Sequence, residues 1–109
     1  NACACVNVTC EITFPGGVIP AAVYDEDLVD QVRKTIGEVL GEEKVAKDCG
    51  GGGEDFHYFK QKKPELHAAY IGVGTGVTPG LHDPRMTMNP ESLRNGVKVL
   101  EKLILNVVG

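Results

Sequence analysis

From Val6 to Phe14 apolar and polar side chains alternate without a break. Val6, Val8, Cys10, Ile12 and Phe14 share one face, and Asn7, Thr9, Glu11 and Thr13 share the other. A period of two with β-branched residues predicts a half-buried strand, and Pro15-Gly16-Gly17 ends it. The other end of the chain has helical spacing. Asn89 reads as a cap with Pro90 at the first helical position. Leu93, Val97, Leu100, Ile104 and Val107 then form one apolar stripe, which Leu103 and Val108 widen. So broad a stripe predicts deep burial against a sheet. A chain with both periods reads as α/β.

The stretch between these runs keeps alternating. Residues 15–24 hold two prolines and two glycines and read as an extended linker, the strongest boundary signal in the chain. Asp25-Glu26-Asp27 suits a helix N-terminus, and Leu28, Val32, Ile36, Val39 and Leu40 predict a helix over about 26–40 with Gly41 as its cap. Asp30, Arg33, Lys34 and Glu38 make its solvated face. Glu42 to Lys47 connects to a short strand or loop near Val45-Ala46. Gly50 to Gly53 lead into a helical turn carrying Glu54, Asp55, Phe56 and Phe59. Glycines there allow close backbone approach. The run has neither the Lys-Ser/Thr ending of a P-loop nor the preceding strand of a dinucleotide site. Residues 68–74 predict a buried strand that empties into the loop 75–80 and then Leu81-His82-Asp83-Pro84. The strands are too few for a complete sheet.

Composition narrows the function classes. The chain has 109 residues, 42% hydrophobic and 24% charged, enough for one domain with a modest core. A net charge of −4 with no basic block disfavours nucleic-acid binding. No apolar run approaches the roughly 20 residues of a bilayer span. Four cysteines are too few for a disulfide scaffold, so a reduced, cytoplasmic setting is expected. Cys10 lies on the apolar face, and Cys3 and Cys5, without a paired His motif nearby, read as structural thiols rather than metal ligands. The chain opens inside what reads as a secondary-structure element, so a piece of a longer protein is expected.

Gly52-Gly53-Glu54-Asp55-Phe56, Tyr70-Ile71-Gly72-Val73-Gly74-Thr75-Gly76, Gly80-Leu81-His82-Asp83-Pro84 and the closing helix follow one another at suggestive spacing. In that order they resemble the metal-dependent amidohydrolases and peptidases that include hippurate hydrolases, aminoacylases and auxin-conjugate hydrolases. The likeness covers nearly the whole chain but only the last part of a family member. It implies a partial three-layer αβα catalytic domain at residues 20–109, preceded at residues 1–19 by the last strand of an α+β lid domain. It implies amide hydrolysis of N-acyl amino acids or small peptides by two divalent metal ions (Zn, Mn, Ni or Co), with a glutamate as general base. His82 matches the last metal ligand. Glu54 matches a position that borders the substrate pocket or supports the metal shell, and Gly74 and Gly76 match positions where substrate passes close to the backbone. His57 and His67 match no ligand position and are expected to face solvent. Gly51 stands where a Met is common, and Tyr24 where an Asn is usual.

The remaining ligands and the general base belong to upstream segments, so this chain by itself is expected to be inactive and to bind no metal tightly. Its expected partners are the substrate, the N-terminal part of the same enzyme and, because such lids often dimerise, a second copy. The alternative is a non-catalytic piece that self-associates through its N-terminal strand.

Overall fold

The periodicity around Val32 forms α1, Glu26–Leu40, in the computed structural model, which describes residues 3–47 and 53–109. Glu26 and Asp27 lie in its first turn, where negative charge is favourable. Gly41, at φ 101°, ends it and donates its N–H to the Gly37 carbonyl at 2.9 Å. The expected solvated face is exposed, with Arg33 bonded to Asp30 at 3.1 Å. After it come a 3-10 turn, Glu42–Lys44, and a loop through Val45-Ala46. Gly50 to Gly52 of the glycine run lie outside the described residues.

A turn then opens α2, His57–Lys62, with the His57 and Tyr58 N–H groups donating to the Glu54 and Asp55 carbonyls at 3.1 and 3.0 Å. At the chain's end Asn89 caps as expected. Its side chain accepts from the Glu91 N–H at 3.1 Å, and Pro90–Ser92 form a 3-10 turn that runs into α3, Leu93–Val108.

α1 packs on α3. Val32, Thr35 and Val99 are buried there, at 6, 2 and 4% exposure. The Thr35 hydroxyl donates to the Gln31 carbonyl at 2.9 Å and accepts from Asn106 Nδ2 at 3.4 Å, so burial leaves it satisfied. The packed side of α3 is therefore the Val99–Leu103–Asn106 side. The expected stripe is the neighbouring flank, and Leu93, Val97, Leu100, Ile104 and Val107 are 44–64% exposed. Deep burial needs a covering layer, and none of the described segments supplies one.

The strand expectations are likewise not realised as ladders among the described residues. Residues 4–6 form a 3-10 turn, with the Val6 and Val8 N–H groups converging on the Cys3 carbonyl, and Thr9 to Phe14 run on exposed and in no ladder. Residues 68–74 are extended, with Ala68 buried but Tyr70 and Val73 well exposed. A strand satisfies its backbone only through a neighbour, and the single bridge among the described residues joins Thr78 to Thr87. The chain measures 63 × 39 × 21 Å, and its 19.5 Å radius of gyration exceeds the ~13 Å of a compact domain this long. A groove of about 270 Å³ runs between α1, residues 71–74 and α3, walled by Ile36, Leu40, Ile71 and Leu100. Gly96 lets α3 approach, since a Cβ there would lie 3.0 Å from Val73.

Candidate metal and substrate site

His82 stands on a loop closed at its base. Thr78 and Thr87 exchange backbone hydrogen bonds of 3.1 and 2.9 Å, and the Asn89 N–H donates to the carbonyl of buried Thr75 at 2.8 Å. Inside the loop the Asp83 N–H reaches the Gly80 carbonyl at 3.4 Å, and the Met86 N–H reaches that of Asp83 at 2.9 Å. His82 is thus the third residue of a tight turn, at φ 68° and exposed. The left-handed region costs a non-glycine residue about 1–2 kcal/mol, so neighbouring bonds must offset it.

The Asp83 carboxylate supplies such bonds. Its Oδ1 accepts from the Arg85 N–H at 2.8 Å and from Nε at 3.1 Å, and Oδ2 accepts from Nη2 at 3.1 Å. The Arg85 guanidinium, with the Arg85 N–H second, holds the Asp83 carboxyl below its ordinary value, while Asp83 raises Arg85.

Gly76 sits at φ 64° with open space around it, so its backbone conformation, not crowding, requires glycine. Gly74 borders the apolar groove and has nothing within 4 Å of where a Cβ would lie. Glu54 is exposed just before α2. The linker rests on this region: a Cβ on Gly53 would collide with Ile19, and the Tyr58 hydroxyl donates to the Val18 carbonyl. Gly76 and His82 therefore share one loop with Gly74 at its entrance. Glu54 belongs to the α2 side, joined to residues 68–74 by the Phe56–Tyr70 and His57–Tyr70 ring contacts, centroids 5.7 Å apart in both.

His57 corrects an expectation. Far from facing solvent, it is 3% exposed, edge-on to Tyr24 and Phe56 at 5.5 and 5.8 Å. It opens α2 on the side that meets Tyr24 and Tyr70, an orientation that six helical residues are too few to reveal by periodicity. His67 is exposed as expected, its Nδ1 3.7 Å from Asp25. Near the start of the chain, the Cys10 thiol hydrogen-bonded to Cys3 raises the Cys3 pKa, away from the reactive thiolate.

A clasp that no local sequence pattern marks closes around Asp25. Asp25 makes no side-chain cap on α1. Instead its carboxylate accepts from Lys60 Nζ at 2.8 and 2.9 Å and from the Ala68 N–H, and its own N–H donates to the Ala68 carbonyl at 3.0 Å. Lys60 also donates to the Leu66 carbonyl at 2.8 Å. The clasp joins the start of α1 to α2 and to the segment leading to Gly74. The partners are 35 and 43 residues apart, and no local pattern marks such a pair.

The Lys60 ammonium, then the Ala68 N–H, hold the Asp25 carboxyl below its ordinary value of 3.8. A depressed carboxyl stabilises the fold fully above that ordinary value, and the contribution disappears as pH falls through the lower folded value. The denaturation midpoint should therefore drop as pH is taken from 5 to 2. In Lys60→Ala the pH 7 midpoint should be lower and the acid-side slope shallower. An identical slope in both proteins, followed by circular dichroism, would remove the clasp from the stability balance.

Among the described residues no three His, Cys, Asp or Glu side chains gather as a metal cage. Of the residues here His82 suits a metal as one ligand, exposed on an anchored turn, whereas the Asp83 carboxylate beside it is occupied by Arg85. A model of the peptidase family M20/M25/M40 matches residues 2–106. The chain belongs to that family. No curated protein and no solved structure matches it. M20 peptidases are hydrolases that are generally metal-dependent, which gives the exposed imidazole of His82 a chemical context. No helix among the described residues is long and apolar enough to cross a membrane.

Proposed function

We propose that the chain is the C-terminal part of a two-metal M20 hydrolase that cleaves the amide bond of N-acyl amino acids or small peptides, its residues 20–109 completing an αβα catalytic domain and residues 1–19 leaving a lid domain. The observation that carries this reading is the placement of His82, exposed on a hydrogen-bonded turn within a family match running from residue 2 to residue 106. The metals, when bound, polarise the scissile carbonyl and acidify a bound water. In this chain His82 supplies one imidazole ligand. Gly76 and Gly74 keep the approach to it free of side chains, and Glu54 borders the substrate from the α2 side. A lone imidazole does not hold two metals, so the isolated chain is inactive. The metal centre takes Zn, Mn, Ni or Co, and the setting is cytoplasmic.

The test is a panel of N-acetyl and N-benzoyl amino acids and dipeptides, assayed with added metal on the full-length enzyme and on the 109-residue chain. Amide hydrolysis by the former alone is expected. Hydrolysis by the isolated chain, or a metal-loaded full-length protein that cleaves no amide, sinks the reading.

A second reading has its own support. Ile12 and Phe14 are 75 and 81% exposed on a segment that has no ladder partner among the described residues, an arrangement that invites strand addition by another copy. Sedimentation at increasing concentration separates the two: a monomer throughout removes self-association.

A further inference from the structure

The turn that carries His82 is held in an uncommon conformation by its two neighbours in the sequence. The bond from the Asp83 N–H to the Gly80 carbonyl makes Gly80–Asp83 a β-turn with His82 third, at φ 68°. That place in a turn normally falls to glycine or asparagine when φ is positive. A histidine enters that region at a steric cost, which bonds at the neighbouring residues offset.

Asp83 is fixed at every polar group it has. Its N–H and C=O are bonded to Gly80 and Met86, and its carboxylate takes three donors from Arg85, one of them the backbone N–H. Pro84 between them has its own φ locked by the ring. Arg85 is 81% exposed in its side chain while Asp83 is 27% exposed, so the guanidinium lies largely in solvent and the bonds to Asp83 fix its placement. An exposed ion pair alone contributes little. Here the same carboxylate also takes the Arg85 N–H, which makes the pair a rigid two-residue brace. Outer partners keep a metal-ligating imidazole aimed, and here such support would reach His82 through the backbone of the turn rather than through its ring.

We propose that Asp83 and Arg85 are positioning residues that hold His82 in the left-handed conformation in which its imidazole is presented to a metal ion. The proposal rests on the reading of His82 as a ligand, and two separate measurements keep the two apart. The first needs no metal. In the isotope-labelled 109-residue chain, NMR reads the strong intraresidue HN–Hα contact that marks positive φ at His82. Asp83→Ala and Arg85→Ala should weaken that contact, while the Thr87 amide stays protected by its bond to Thr78. Arg85→Lys should recover part of it. An unchanged contact in both alanine variants overturns the positioning pair.

The second is zinc affinity of the full-length enzyme by chelator competition. Asp83→Ala and Arg85→Ala should lower it about 10–100-fold, with Arg85→Lys between them and the wild type. Wild-type affinity in both alanine variants also overturns the proposal. Wild-type affinity in His82→Ala overturns the ligand reading instead.

Discussion

On the function proposed above, His82→Ala in the longer enzyme should lower metal affinity by more than the roughly 10–100-fold that loss of an outer partner costs, with amide hydrolysis falling alongside it. The imidazole would be a direct ligand, so its removal opens the coordination sphere itself. Alanine also inherits φ 68° at position 82, and its loss of function would mix missing ligand with backbone strain. His82→Asn separates the two, because asparagine tolerates the left-handed region and keeps the turn. Both variants should lose metal, and only His82→Ala should lose loop order as well. Metal content by mass spectrometry, with the NMR contact at residue 82, reads both. Full metal content and activity in His82→Asn would end the ligand assignment.

Val99→Asp should destabilise the protein by about 3–5 kcal/mol, the usual consequence of an uncompensated buried charge. Val99 is 4% exposed in the seam where α1 meets α3, with Val32 at 6%. The buried polar group of that seam, the Thr35 hydroxyl, already has its partners in Gln31 and Asn106. Val99→Ala removes two methyl groups and should cost only about 1.5 kcal/mol. Urea denaturation followed by helical circular dichroism distinguishes the pair. Equal midpoints for Val99→Asp and wild type would mean that α1 and α3 do not form a shared core.

The helices were legible because their information is local. The spacing of Val32, Ile36 and Leu40, Gly41 beyond them, and the Asn89-Pro90 start can each be read within a few turns of chain, and all lie where expected. The face that each helix buries was less so. The main apolar stripe of α3 runs through Leu93, Val97, Leu100, Ile104 and Val107, yet its contact with α1 runs through Val99, Asn106 and Leu103, of which only Leu103 belongs to the widened stripe. A stripe shows which side is able to be buried, and a partner determines which side is. His57 illustrates the same limit on a shorter helix, where one polar residue beside Phe56 gave no sign that it would pack among Tyr24 and Tyr70.

The candidate site divides along the same line. Its residue types and order, from Gly53-Glu54-Asp55-Phe56 through Gly74 and Gly76 to His82, are written in the chain, because a family motif is a string of neighbours. The left-handed turn at His82, the three bonds from Arg85 to Asp83, and the reach of Lys60 across 35 residues to Asp25 are decided only when the backbone is folded. Turn conformation and long-range ion pairs depend on where distant peptide groups come to lie. Periodicity and spacing record the demands of each segment by itself, and packing chooses among the ways of meeting them.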